Sequence, residues 1–287
     1  MRKNDTRLVF CCGCDRSGTT ILSRELGNLI PNSIVLPEAH FFAELRKVPL
    51  GALQNNLVQA LSTNQRYQIW GKGELRFNFT FETYEELFIR LAFLNFDVPV
   101  ETEVLIDSTP IAYLWKVNGE FKNSTFIHIK RDARSTVRSL LNVSWGPTHT
   151  GKAVEYWIDR VHLARQLTEF EVNFEDFISQ SRAQINSLLL YLENTGFCPN
   201  MGDFNQSIDI KTLPEFTRKQ HKLLGKALDL KKAKIESNWF IDYYYKNNFS
   251  AQILNHDEND YPEIHYRWVK IVEFALSIFR QLKDTVK

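Results

Sequence analysis

The segment Gly13–Thr20, with the sequence GCDRSGTT, has the residue types and spacing of a turn that binds an anion. Its glycines, Gly13 and Gly18, stand in the P-loop spacing G-x-x-x-x-G. Glycine allows the dihedral angles of a tight turn and lets backbone N–H groups approach an anion closely. A helix-like segment follows, and its N-terminus adds unsatisfied N–H groups and the positive end of a helix dipole. The pattern therefore predicts a cradle for a phosphate-like anion.

The charge in this turn differs from that of a nucleotide kinase. Thr19 occupies the position at which an ATPase carries the P-loop lysine. Arg16, inside the turn, supplies positive charge as a rigid fork of donors. The alternative interpretation is a glycine-rich turn that binds nothing.

A second basic segment, Lys130–Ser139, follows another strand-like run. Arg131 comes at the end of that run, and Ser139 lies about two turns into the predicted helix. Arginine offers a bidentate charged contact to a phosphate and serine offers a hydroxyl donor. The alternative is a solvated, basic helix face formed by Arg134 and Arg138.

Together the two segments resemble the sulfotransferases that use 3′-phosphoadenosine 5′-phosphosulfate (PAPS), and in motif they are closest to the bacterial and protein-tyrosine enzymes. The first is similar to the family's 5′-phosphosulfate loop, G-x-P-R-S-G-T-T, with Asp15 where the family usually has proline. The second is similar to its 3′-phosphate element. The resemblance implies two groups of PAPS-binding residues. They are Gly13, Arg16, Ser17, Gly18, Thr19 and Thr20 for the 5′-phosphosulfate, and Arg131 and Ser139 for the 3′-phosphate.

Asp107 leaves a second class of enzyme open. Val104–Asp107 resembles the apolar strand that ends in the magnesium-binding acid of an NTPase, which predicts an ATP-dependent kinase with Thr20 as another metal contact. Asp107–Pro110, however, also resembles the D-K-T-P segment of sulfotransferases, with Ser108 in place of lysine. The missing P-loop lysine and the 3′-phosphate element favour a sulfotransferase, for which we expect no metal. A non-catalytic module that binds 3′-phosphoadenosine 5′-phosphate (PAP) is a further alternative.

Sulfuryl transfer requires a base, because the acceptor oxygen loses its proton as it attacks sulfur. Protein-tyrosine and many bacterial sulfotransferases carry a glutamate after the second strand as the proposed base, and Glu38 matches it. Cytosolic relatives commonly use a histidine, and His40 is the rival. A helix cap for Glu38 and a structural hydrogen bond for His40 are the alternatives. The resemblance thus implies Glu38, His40 and Arg16 as candidate catalytic residues.

Phe174 belongs to a weaker match. Val172–Phe177 is similar to the family's V-x-Y-E-D-L segment near the adenine site, with Phe174 in place of tyrosine. The resemblance implies a stacking contact without the phenol hydrogen bond. It is specific for residues 8–141, fair to residue 197 and faint beyond, so the acceptor stays open among carbohydrates, lipids, peptides and small natural products.

The elements that must position these residues alternate between strand and helix patterns in the first half of the chain, which predicts an α/β fold with a mainly parallel central sheet flanked by helices, similar to P-loop NTPases. The predicted strands are Leu8–Gly13, Ser33–Leu36, Thr102–Ile106, Thr125–Ile129 and Phe170–Phe174, with helices at Thr19–Ile30 and at about Ala133–Asn142. From about residue 175 the pattern is helical, at Ile185–Glu193, Pro214–Leu228 and Ile264–Leu282. No linker rich in Gly, Pro or Ser divides the chain, so we expect one domain over residues 1–287.

Composition limits the partners. The formal net charge of +1 gives no global attraction for nucleic acid, so an anion site must be local. The cysteines Cys11, Cys12 and Cys14 lack the paired spacing of a zinc site. No apolar stretch reaches the length of about 18 residues that a membrane helix needs, and we expect a soluble, cytoplasmic protein. Composition predicts no oligomeric state.

Overall fold

The computed structural model describes residues 6–200. They fall into two compact units, one formed by residues 6–139 with 163–200 and the other by residues 140–162. The predicted helices Pro214–Leu228 and Ile264–Leu282 lie outside the described residues. The single domain over residues 1–287 therefore stays a prediction.

A sheet of five strands organises the first unit, and every neighbouring pair of its strands is parallel. The α/β prediction is thus confirmed. The spatial order is β2-β3-β1-β4-β5, with β1 in the middle. The bounds are β1 Arg7–Gly13, β2 Ser33–Leu36, β3 Val104–Asp107, β4 Thr125–Lys130 and β5 Phe170–Asn173.

Helices take up most of the remaining described residues. Those in the first half are α1 Thr19–Leu29, α2 Phe42–Leu45, α3 Leu50–Ser62, α4 Gln65–Gln68 and α5 Tyr84–Asn95. After a 3-10 helix at Ala112–Gly119 come α6 Ala133–Leu141, α7 Thr150–Leu167, α8 Phe174–Ile178 and α9 Arg182–Asn194. Within the described residues, none is long and apolar enough to cross a membrane.

Helix α5 was not predicted, although its start carries a local signal. The Thr83 side chain accepts a hydrogen bond from the Glu86 N–H, and the Glu86 carboxylate accepts one from the Glu82 N–H. This reciprocal arrangement resembles a capping box, which fixes the first turn of a helix. The spacing from Thr83 to Glu86 is therefore what would have identified the helix.

Strand β1 is apolar from Leu8 to Cys12 because both of its faces are covered there. Phe10 and Cys12 face one core cluster, while Val9 and Cys11 face the other. Around Phe10, rings contact edge to face at centroid distances of 5.3–5.5 Å or stack at 4.9 Å; they belong to Phe88, Trp115, Phe121 and Phe126. Each such pair contributes about 0.5–1.5 kcal/mol beyond area burial. The many aromatic residues here serve packing, and they hold rigid the strand that ends at Gly13.

The loops with the candidate residues meet at the carboxyl edge of the sheet. The chain leaves β1 for β2 and β3 on one side, and for β4 and β5 on the other. Open parallel sheets bind ligands where the chain turns in opposite directions in this way. Strand β1 also extends beyond β3, since Phe10 pairs with Asp107 and Gly13 pairs with Ile129.

Candidate functional site

The turn between β1 and α1 depends on glycine at both ends. Gly13 has φ +152° and Gly18 has φ +106°, in the region that side chains disfavour. A Cβ atom at Gly13 would lie 2.5 Å from the carbonyl oxygen of Ile129. Gly18 is the N-cap of α1, which has no side-chain cap. The Gly18 carbonyl accepts from the Ile21 N–H, and no side chain caps the N–H groups of Thr19 and Thr20, which can therefore donate to an anion.

Arg16 links the two predicted anion elements. Its backbone is left-handed, with φ +70°, and its Nε donates a 2.9 Å hydrogen bond to Oγ of Ser139 on α6. Ser139 is 2% exposed, so this hydroxyl is held in place. Residues predicted to bind different phosphates are therefore neighbours in the fold.

Arg131 lies beside the same turn. Its Nη1 donates to the Arg16 carbonyl at 3.4 Å, and its guanidinium carbon lies 4.5 Å from the centroid of the Phe174 ring. Burial lowers the pKa of Arg131 most, and the charges of Arg138 and Arg16 lower it further. The charge of Glu175 opposes this decrease more strongly than either arginine adds to it, so the lowered pKa reports mainly the burial of Arg131.

Phe174 packs beneath the turn. The side chain is 2% exposed, and a Cβ atom at Gly18 would meet two of its ring carbons at 2.6 Å. One face of the ring lies under Arg131. The stacking of Phe174 on adenine stays a prediction, while its contacts with Gly18 and Arg131 are structural facts that the sequence did not indicate.

We expect Gly18→Ala to lower the free energy of unfolding by about 2–4 kcal/mol, because the methyl group overlaps the Phe174 ring and the positive φ strains an L-residue. Urea denaturation measures the change. Gly51→Ala on α3 is the matched control, since a Cβ atom there has no neighbour within 4 Å. Equal stabilities of the two variants would refute the close packing of Phe174 on the turn.

The inner side of the turn is lined by Ser17, a predicted PAPS-binding residue, and by His128, which has no predicted role in the site. Ser17 is 1% exposed, and its Oγ has no hydrogen-bond partner among the described residues. His128 on β4 is fully buried, as expected of a residue packed within a strand; its Nδ1 lies 3.0 Å from Glu171 Oε2. The Ser17 Oγ and the His128 ring both lie within 3.2 Å of the position that a Gly13 side chain would take. The small volume at Gly13 is therefore lined by polar groups.

Glu38 and His40, the two candidate bases, contact each other. Glu38 Oε2 lies 2.8 Å from His40 Nε2, and both side chains are partly exposed. This hydrogen bond is the largest cause that raises the pKa of His40, and the charge of Asp15 acts in the same direction. The loop after β2 thus carries a carboxylate–imidazole pair rather than two separate candidates.

Both carboxylate oxygens of Asp107 accept hydrogen bonds from backbone N–H groups. Its Oδ2 accepts from the Ala39 N–H at 3.1 Å, and its Oδ1 accepts from the Thr109 N–H at 2.7 Å. Burial raises its pKa to about 7 despite these bonds. These contacts do not favour the metal-binding role of the kinase alternative. No cluster of three or more His, Cys, Asp or Glu in residues 6–200 could hold a metal ion.

Comparison with known proteins identifies one family. A family model described as "Sulfotransferase family" matches residues 9–195, which include every candidate residue above. A search of curated proteins finds no match. Among solved structures, the chain is similar to a shikimate kinase from Bacteroides thetaiotaomicron, with 14% identity over 66% of this chain and 97% of that chain. The TM-score for this pair is 0.33.

Proposed function

The chain belongs to the sulfotransferase family, and we propose that it moves a sulfuryl group from PAPS to a hydroxyl or amine acceptor and releases PAP. The acceptor oxygen or nitrogen attacks sulfur in line, the bond from sulfur to the bridging phosphate oxygen breaks, and its electrons stay on that oxygen. The acceptor proton passes to a base of the protein. We also propose that the reaction needs no metal and that the protein acts in the cytoplasm.

The contact between Arg16 and Ser139 carries the proposal. PAPS bears anions at its 3′ and 5′ positions, and the donor therefore needs two cationic subsites a short distance apart. The 2.9 Å hydrogen bond brings the 5′-phosphosulfate turn against the 3′-phosphate element, with Arg131 at 3.4 Å from the Arg16 carbonyl. Arg131 and Ser139 would bind the 3′-phosphate and so select PAPS over ATP.

The turn would stabilise the charge that develops on the leaving phosphate. Backbone N–H groups at the start of α1 are fixed before reaction, and Gly13 and Gly18 let the phosphate approach them. Arg16, Ser17, Thr19 and Thr20 would add donors around the same oxygen atoms. Fixed donors aimed at a developing negative charge lower the barrier because they need no reorganisation during the reaction.

Glu38 would remove the acceptor proton. His40, whose Nε2 lies 2.8 Å away, holds the carboxylate by a hydrogen bond. We assign the proton to Glu38 because the carboxylate is the more exposed of the two side chains, at 38% against 31% for His40, and can reach an incoming acceptor. His40 would then orient it.

We expect PAP to raise the melting temperature more than Mg-ATP does at the same ligand concentration, because PAP should have the lower Kd. A ligand at 100 times its Kd stabilises the folded state by about 2.7 kcal/mol, which corresponds to about 5–10 °C in a domain of this size. Thermal denaturation with PAP, AMP and Mg-ATP measures the order. PAP should exceed AMP, because AMP lacks the 3′-phosphate. A larger shift with Mg-ATP would refute the sulfotransferase proposal and favour the kinase.

A binding module that holds PAP without catalysis is the second candidate. It shares the proposed PAP-binding residues and differs from the enzyme only in the absence of transfer. Transfer of ³⁵S-sulfate from PAPS to a panel of carbohydrates, phenols, peptides and amines separates the two. Firm PAP binding without transfer to any acceptor would favour the module.

A further inference from the structure

The segment Asp107–Pro110 contacts both loops of the proposed reaction. On one side, the Pro110 carbonyl accepts a 2.8 Å hydrogen bond from the Gly13 N–H, at the start of the phosphate turn. On the other side, Asp107 Oδ2 and Thr109 Oγ1 accept from the Ala39 N–H, at 3.1 and 2.6 Å. A single short segment therefore joins the turn to the loop after β2.

The Ala39 N–H occupies a decisive position in that loop, because Ala39 lies between Glu38 and His40. Ala39 is 0% exposed, so its N–H cannot turn to bulk water. A buried backbone donor without an acceptor is costly and seldom occurs. The two acceptors therefore fix the peptide unit between Glu38 and Ala39, and His40 is attached one residue further along the chain.

The two acceptors are themselves held. The Thr109 N–H donates to Asp107 Oδ1 at 2.7 Å, which closes a small ring of hydrogen bonds within the segment. Asp107, Ser108 and Thr109 are each at most 3% exposed. Pairing with Phe10 and Leu36 places Asp107 between β1 and β2 in the sheet. These contacts thus fix the position of Ala39 relative to the sheet.

We propose that Asp107 and Thr109 are positioning residues for sulfuryl transfer, which hold Glu38 and His40 at a fixed distance from the phosphate turn. This inference rests on the proposed function. Neither residue touches the reacting atoms; both act through the Ala39 N–H. Proximity of this kind matters because a displacement of about 1 Å costs a reaction roughly a hundredfold in rate.

Thr109 allows a test with matched variants. Thr109→Val keeps the shape of the side chain and removes Oγ1, whereas Thr109→Ser keeps Oγ1 and removes a methyl group. We expect Thr109→Val to lower kcat about tenfold, the equivalent of about 1.4 kcal/mol, with PAP affinity changed by less than about twofold. Thr109→Ser should restore most of kcat. Equal kcat in both variants, or a parallel loss of PAP affinity, would overturn the proposal.

Hydrogen exchange gives a second measurement that does not depend on turnover. The Ala39 amide should be protected in the wild type and in Thr109→Ser, and should exchange faster in Thr109→Val and in Asp107→Asn. Asparagine would replace one carboxylate oxygen with an NH₂ group, a donor that would face one of the two N–H groups now donating to Asp107. Unchanged Ala39 exchange in Thr109→Val would show that Thr109 does not hold the loop. If the wild type neither binds PAP nor transfers sulfate, the proposed function fails, and exchange still decides whether this segment fixes the loop.

Discussion

We expect Glu38→Gln to lower the kcat of the proposed sulfuryl transfer by about 10²–10⁴-fold, the range for the loss of a general base, and to leave PAP affinity unchanged. Glutamine keeps the size of the side chain and a hydrogen bond to His40, but it cannot take the acceptor proton. Initial rates with ³⁵S-labelled PAPS give kcat, and isothermal titration with PAP gives affinity. Glu44→Gln is the control, because Glu44 is an exposed carboxylate that pairs with Lys47.

The pH profile of Glu38→Gln distinguishes the two candidate bases. The hydrogen bond with Glu38 is the main cause that raises the pKa of His40, so the substitution should bring that pKa down. If His40 were the base, the variant would stay active, and the acidic limb of its rate profile would move to lower pH. Retained turnover with such a displaced limb would reject Glu38 as the base and assign the proton to His40.

We expect Arg131→Ala to weaken PAP binding by about 10–100-fold, which corresponds to the loss of hydrogen bonds to a charged group. Adenosine 5′-phosphosulfate has no 3′-phosphate, and its affinity should change far less. Titration of both ligands against wild type and variant gives the comparison. Arg134→Ala removes the same charge from an exposed position on α6 and should leave both affinities nearly unchanged.

Arg131 also contacts the Arg16 carbonyl and the Phe174 ring, and this gives the experiment a clear negative outcome. If Arg131 only braced the turn, its loss would displace Arg16 and would weaken both ligands to the same degree. Equal weakening of PAP and adenosine 5′-phosphosulfate would therefore contradict the 3′-phosphate assignment.

The turn and its flanking elements could be predicted because their signals are local. An apolar run marks β1, two glycines mark the turn, and apolar residues at helical spacing mark α1; the predicted helix Thr19–Ile30 differs from the observed one by a single residue. The predicted strand β3 begins at Thr102, two residues before the observed start, because an apolar run does not indicate where strand pairing begins. The observed start at Val104 is set by its partner Arg7 on β1.

The side-chain contacts of the site could not be predicted because they join distant parts of the chain. Arg16 and Ser139 are 123 residues apart, and Ala39 and Thr109 are 70 apart. The residue types alone indicate that arginine can bind anions and that threonine can accept hydrogen bonds. Which two residues meet, however, is decided by the order of the strands in the sheet. Glu38 and His40 are only two residues apart, but they lie in an irregular loop. Because no sequence repeat encodes the dihedral angles of a loop, their contact with each other could not be predicted.

Because β1 lies in the middle of the sheet, the proposed roles in binding and in proton transfer are separated between its two flanks. The groups proposed to recognise the nucleotide come from the turn and from the β4–β5 side. The proposed base and its positioning residues, Asp107 and Thr109, come from the β2–β3 side. If the proposed function holds, substitution on one flank would change which alcohol or amine is modified, while the other flank would retain the donor. In such a layout, a new substrate preference can arise without rebuilding the nucleotide pocket.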